Sequence, residues 1–199
     1  MAGLRFVDRV HVSTDDPEIA AIAAAHGADC LELRAPELAT SAPGFIDLIH
    51  HDIPRYSDAN GGDQEVLFVL ATAALVTAQL FTDAHRQYRD REPELLMSCE
   101  RYAVSPYWAL QVGPEGYLSA LFPKMTLVNS QDLPQTLADA GLFYFFNAET
   151  MVQYDSVKLV NKLLPYRVPD ECTCDVDTEE DWRVLERKFE DRSAAGAGR

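Results

Sequence analysis

The stretch DRVHVSTDDPEIAAIAAAHGADCLELR, residues 8–34, decides how the rest of the chain is read. Its β-branched opening runs into polar turn residues at Ser13–Asp16, the pattern of a short strand whose carboxyl end lies there. Asp16 then stands where a helix cap belongs, with Pro17 at the first helical position, Glu18 in the first turn and Gly27 as the stop. DCLELR, residues 29–34, supplies a second short strand. Strand, helix and strand in so short a span predict an α/β fold built on a parallel sheet.

Working outward, SAPGFIDLIHHDIPRYSD (41–58) places Phe45, Ile46, Leu48, Ile49 and Ile53 on one helical face, and NGGD (60–63) reads as a turn. EVLFVLATAALV (65–76) opens as a continuous apolar run, the mark of a strand covered on both faces. An amphipathic helix is expected over 77–92 and a strand within 94–103, with further strand material in 118–123 and 141–152. TEEDWRVLERKFEDR (178–192) reads as a last helix whose acidic start suits the helix dipole. The expectation is a single α/β domain over 1–192 and a disordered tail over 193–199.

The chain has 199 residues, enough for one domain, and at 47% hydrophobic residues it can build a core. Its net charge of −15 repels phosphate backbones, which argues against a nucleic-acid polymer as partner and favours cations. No apolar run reaches the length of a membrane helix, and MAGLRFVDRV has no signal-peptide core, so a cytoplasmic protein without a membrane partner is expected.

CTCDVDTEEDW, residues 172–182, leaves two readings open. Asp175 and Asp177 are two residues apart, so on extended backbone both point the same way and reach one hard cation. The other reading makes Asp177 the cap of the last helix, with Glu180 at its third position. Cys172 and Cys174 lack the second ligand pair that a structural zinc site uses, and read as partly buried thiols. His50 and His51 are adjacent on a helix and diverge by about 100°, which suits ordinary surface positions better than chelation.

Four segments in order, VSTDDPEIAAIAAAHGA (12–28), LRAPELA (33–39), SQDLPQTLADAGLFYF (130–145) and DVDTEEDW (175–182), resemble the acylneuraminate cytidylyltransferases, nearest the branch that activates pseudaminic acid. The resemblance implies a Rossmann-like nucleotidyltransferase fold, with a mostly parallel sheet flanked by helices and a dimerisation extension over about 102–129. It implies joining CMP, from CTP, to an acidic nine-carbon sugar with release of pyrophosphate, with Mg²⁺ and as a homodimer. It assigns the metal and catalytic role to Asp175 and Asp177, and substrate contacts to Gln131, Asp132, Asp139, Arg34 and Thr72.

The family's first strand and its nucleotide-binding loop have no counterpart here, because AGLRFVDRV matches the end of the family's first helix. That strand is central in the family's sheet, so its lack is expected to open a gap or force a new pairing. The family's Pro-Thr-Ala-Pro-Phe segment is ATAAL (71–75), its arginine is Asn129, its histidine Ala138 and its glutamine Leu142, while an acidic position falls near Thr40–Ser41. Each change removes charge or hydrogen bonding, and phosphoryl transfer depends on both. The parent reaction is therefore expected to be degenerate in this chain. Two other functions follow from the same residues: a repurposed, nucleotide-independent enzyme acting on a small, more apolar molecule in specialised biosynthesis, and a non-catalytic partner subunit. Tyr102, Tyr107, Trp108 and Phe143–Phe146 would line an apolar pocket in the first case and form core or interface otherwise.

Overall fold

The computed structural model describes residues 3–39, 44–60 and 64–197, with side chains for 3–39, 44–57 and 64–193. The first helix, α1 (Pro17–Ala25), is capped by Asp16, whose Oδ1 accepts from Glu18 N–H at 2.7 Å. It ends where Gly27 turns left-handed (φ +81°), and the Gly27 and Ala28 N–H groups bond Ala24 and Ala23 C=O. Next come α2 (Phe45–Asn60), β1 (Glu65–Val69), α3 (Ala78–Arg91) and β2 (Leu95–Arg101). A hairpin follows, β3 (Leu110–Val112) and β4 (Leu118–Ala120), then β5 (Leu137–Asn147), α4 (Ala148–Met151), β6 (Leu163–Arg167) and α5 (Glu179–Ala197). The acidic position near Thr40–Ser41 and most of the NGGD turn lie outside the described residues.

The main sheet has the order β1-β5-β2-β6. β2 and β6 pair parallel, while β5 runs antiparallel to both β1 and β2. Three strands thus share one direction, but two of the three ladders are antiparallel, which corrects the mostly parallel pairing read from the sequence. The reason is the long 102–136 connection, which starts β5 at the same end of the sheet where β2 finishes, with Leu137 opposite Arg101. The strands read at 8–12 and 29–34 shrink to one parallel bridge, His11 to Asp29, outside this sheet. Among the described residues β1 is consequently an end strand of the sheet.

Both faces of the sheet are covered. On one, Leu67, Leu96, Phe143, Phe145 and Leu164 pack with Phe81, Ala84 and Tyr88 of α3, Leu185 of α5 and Leu4. On the other, Val66, Phe68, Leu95, Met97, Tyr144 and Phe146 pack with Ile49 and Ile53 of α2 and Met151 of α4. The aromatic run Phe143–Phe146 is therefore core. α5 continues to Ala197, past the Arg192 at which the sequence reading ends it and through most of the segment read as tail. Among the described residues no helix is long and apolar enough to cross a membrane.

Candidate functional site

β1, β2 and β6 end at Val69, Arg101 and Arg167, on the edge where β5 starts at Leu137. Cys99 makes the edge concrete: it lies opposite Asp139 on one side and Arg167 on the other. Loops leaving the carboxyl ends of parallel strands are where open α/β sheets bind ligands. Thr72 is on the loop after β1, Gln131 and Asp132 on the connection that leads to β5, Asp139 within β5, and Asp175 and Asp177 on the segment after β6. Arg34 stands apart, on the 8–39 segment, which contributes no strand to this sheet.

Asp175 and Asp177 are both exposed, whereas Cys174 and Val176 between and before them pack on the core. The alternation turns both carboxylates outward on one side of extended backbone. The capping reading is corrected in its residues. Thr178 caps α5, donating its hydroxyl to Asp181 Oδ2 at 2.7 Å and accepting Asp181 N–H at 3.3 Å. The Asp181 carboxylate also accepts the N–H groups of Thr178 and Asp177, at 2.9 and 3.3 Å, and the Thr178 hydroxyl first, then these N–H groups, hold its pKa below the ordinary value. Capping therefore does not use the Asp177 side chain. Among the described residues no three His, Cys, Asp or Glu side chains gather as a metal cage. Two outward carboxylates are the donor set that suits Mg²⁺, which takes one or two carboxylates and completes its shell from water and phosphates.

Basic residues of α5 hold the loops behind this pair. Arg192 Nη1 donates to Leu75 C=O and, at 3.4 Å, to Cys172 Sγ, and Lys188 Nζ donates to Thr173 C=O at 2.9 Å. Cys172 is buried and Cys174 half-buried. The loop carrying half-buried Thr72 is thus fixed at Leu75 against the segment that leads to Asp175 and Asp177.

Asp139 is built into the sheet. Met97 lies opposite Tyr144 and Cys99 opposite Asp139, so Ser98 alone faces Ala140 to Phe143, a bulge in β5. Gly141 takes φ +60° at its centre, and its N–H donates to Asp139 Oδ1 at 2.9 Å. The Tyr144 hydroxyl lies 2.9 Å from both Asp139 oxygens. Burial first, and the Asp139 charge second, push up both Tyr144 and the Cys99 thiol, the latter to about 11. Gln131 and Asp132 sit in an exposed single turn, with Asn129 Nδ2 donating to Asp132 Oδ2 at 3.4 Å.

Arg34 is half-buried and bound to Ser13, Nε to Oγ at 3.1 Å and Nη2 to C=O at 2.5 Å. Its neighbourhood includes Tyr56, pushed up to about 12 by burial and then by the charge of buried Asp52. Tyr56 stacks on His11 at 4.4 Å, and His51 bonds Asp52 at 2.7 Å. Sequence reading missed Ser98, Thr178, Asp181 and Arg192. For Ser98 the signal was present, a lone hydroxyl in the apolar run LLMSC.

No protein-family model matches the chain. In sequence it is similar to the pseudaminic acid cytidylyltransferase of Campylobacter jejuni subsp. jejuni serotype O:2 (strain ATCC 700819 / NCTC 11168), 23% identical over 174 residues that cover 87% of this chain and 75% of the relative. The enzyme of the same name from serotype O:23/36 (strain 81-176) is 22% identical with the same coverage. In fold it is similar to a CMP:2-keto-3-deoxy-manno-octonic acid synthetase complexed with CTP, with a TM-score of 0.63 over 98% of this chain and 84% of that one, at 13% identity. Sequence relatives and fold neighbour agree in kind: the chain is similar in sequence to pseudaminic acid cytidylyltransferases, and it takes a Rossmann-like nucleotidyltransferase fold.

Proposed function

We propose that the protein is a cytidylyltransferase-type enzyme that binds a cytidine nucleotide with Mg²⁺ and an acidic sugar at the carboxyl edge of its sheet. The observation that carries this reading is the outward pair Asp175 and Asp177, left unused by the helix cap beside it. The two carboxylates would hold Mg²⁺, which when bound neutralises phosphate charge. Thr72 and the turn of Gln131 and Asp132 would orient the substrates by hydrogen bonds. Arg34, pre-set by Ser13, is suited to pair with a carboxylate or phosphate. In the parent reaction an oxygen of the sugar bonds the α-phosphorus of CTP, and the bond to pyrophosphate breaks. Homodimerisation through the 102–129 extension is part of the same reading. Its hairpin leaves Val112 71% and Tyr117 76% exposed, more than an isolated surface favours.

Titration calorimetry tests the proposal, with CTP and Mg²⁺, and CMP as a second ligand. Binding that disappears in Asp175→Ala is the expected result. No heat at millimolar nucleotide, from protein with a cooperative unfolding transition, overturns it. A nucleotide-independent enzyme or a non-catalytic subunit would then stand, a reading favoured by the absorption of Asp139 into the β5 bulge.

A further inference from the structure

We propose that Arg192 is a positioning residue of the nucleotide site: it locks the loop that carries Thr72 to the segment that carries Asp175 and Asp177, so that a divalent cation and the nucleotide bind as one coupled event. The inference rests on the cytidine-nucleotide reading and adds to it a residue that acts through the backbone. Arg192 lies on α5, and its Nη1 donates to Leu75 C=O on one side and to Cys172 Sγ, at 3.4 Å, on the other. Thr72 stands three residues before the first contact, and Asp175 three residues after the second.

Each half is stiff up to its contact. In the Thr72 loop, Ala73 N–H bonds Leu70 C=O and Val76 N–H bonds Ala73 C=O, both at 3.0 Å, two turns that fix Thr72 relative to Leu75. In the other half, Cys172 N–H bonds Pro169 C=O at 2.8 Å, Lys188 Nζ holds Thr173 C=O at 2.9 Å, and the Thr178–Asp181 cap holds the far end. Asp175 and Asp177 thus sit on backbone tied to α5 at both ends. The Thr72 loop has one polar link to α5 among the described residues, and that link is Arg192.

The use made of the guanidinium points the same way. In a chain of net charge −15, Arg192 forms no ion pair with a carboxylate among the described residues. It serves a neutral carbonyl and a thiol instead, and a rigid fork of donors suits that geometric task. Leu75 C=O meets no backbone N–H among the described residues, and Leu75 and Cys172 are both buried, so solvent does not make good a bond lost there. With the two loops locked, a cation on Asp175 and Asp177 stands at a fixed place relative to Thr72, and a nucleotide meets both at once. With the link cut, binding must order the loops first, and the two ligands assist each other less.

The test is titration calorimetry of CTP into the whole protein, with saturating Mg²⁺ and again with EDTA in its place; the readout is the ratio of the two affinities. Arg192→Met keeps the apolar stem and removes every donor. The expected result is a ratio lowered by about tenfold or more, with the affinity in EDTA unchanged. Arg187→Met removes the same charge from the same helix, but its Nε serves only Arg183 C=O, so the ratio of the parent protein should persist. Arg192→Lys, with a donor for Leu75 C=O, should recover most of the loss. An unchanged ratio in Arg192→Met, an equal drop in Arg187→Met, or equal weakening with and without Mg²⁺ would each overturn the proposal. If Arg192→Met lacks a cooperative unfolding transition, Arg192→Gln, whose amide falls short of the guanidinium nitrogens, takes its place with the same expected and contrary results. Absence of CTP binding in the parent protein itself removes the nucleotide reading and this assignment with it, and is told apart because the parent fails and not the variant alone.

Discussion

Ser98 Oγ lies 3.0 Å from the backbone N–H of Phe143, and it accepts the N–H of Leu142 at 3.2 Å as well. Both donors are fully buried, and the bulge removes the strand partners they would otherwise have. Ser98→Ala should therefore cost about 2–4 kcal/mol, the toll of two buried unsatisfied donors. Urea unfolding of the variant and the parent checks this. A loss near that of a surface substitution would mean that water replaces the hydroxyl.

Stability should fall in alkali. The Cys99 thiol moves from 9.0 to about 11 and the Tyr56 phenol from 10.0 to about 12 on folding, and Tyr144 is also raised. Between the unfolded and folded values the unfolded chain has released protons that the folded one retains, so unfolding gains favour as pH rises. The contribution is complete below about pH 9 and is lost progressively through about pH 12. Denaturant midpoints from about pH 8 upward should decline, and in Tyr56→Phe the decline should shrink at its upper end.

The start of α5 separates two roles that the sequence merges. Thr178→Ala removes the cap and should cost about 1 kcal/mol without touching the outward carboxylates. Asp177→Ala should leave the melting temperature nearly unchanged and remove Mg²⁺-dependent CTP binding. A large fall in melting temperature for Asp177→Ala would mean that its side chain holds the helix after all.

Iodoacetamide labelling of the native protein, read by mass spectrometry, should modify Cys30 and Cys174 and spare Cys99 and Cys172. Arg192→Ala frees Leu75 C=O and uncovers Cys172 Sγ, so Cys172 should then label while Cys99 stays protected. Labelling of both would indicate global loosening instead of release of the two loops.

The hairpin prediction concerns mass in solution. Val112→Lys with Leu118→Lys should convert a dimer to a monomer by light scattering, with the far-ultraviolet spectrum retained. The two residues are 71% and 63% exposed and directly paired, so neither charge disturbs the core.

Local chemistry was legible and long-range geometry was not. Asp16, Pro17 and Gly27 announced both ends of α1, because caps act within one turn. The Thr77 cap of α3, which accepts Leu80 N–H at 3.2 Å, is a finding of the structure of the same local kind. β6 escaped notice because LLPYR is short and carries Pro165, which a strand tolerates only where its missing N–H is not needed. β6 is the other end strand, so the position suits it. Pro54 sits inside α2 without ending it, since Ile49 and Ile53 anchor the helix to the sheet on that turn. The direction of β5 could not be read, because strand direction depends on the path of the 102–136 connection and not on residues within the strand. The same limit hid the division of labour among Asp175, Asp177, Thr178 and Asp181, four polar residues whose roles depend on which way the backbone turns each one.

β5 lies between β1 and β2, with Glu65 opposite Asn147 and Leu95 opposite Phe146. Such pairings join distant parts of the chain, and closing them is entropically slow. On a translating ribosome, β1, α3 and β2 therefore leave the exit tunnel without the strand that joins them. Until β5 follows, EVLFV and LLMSC are two unpaired apolar strands on a nascent chain, the species most exposed to aggregation and to capture by chaperones. The yield of folded protein should thus depend on how quickly the hairpin-bearing connection is synthesised.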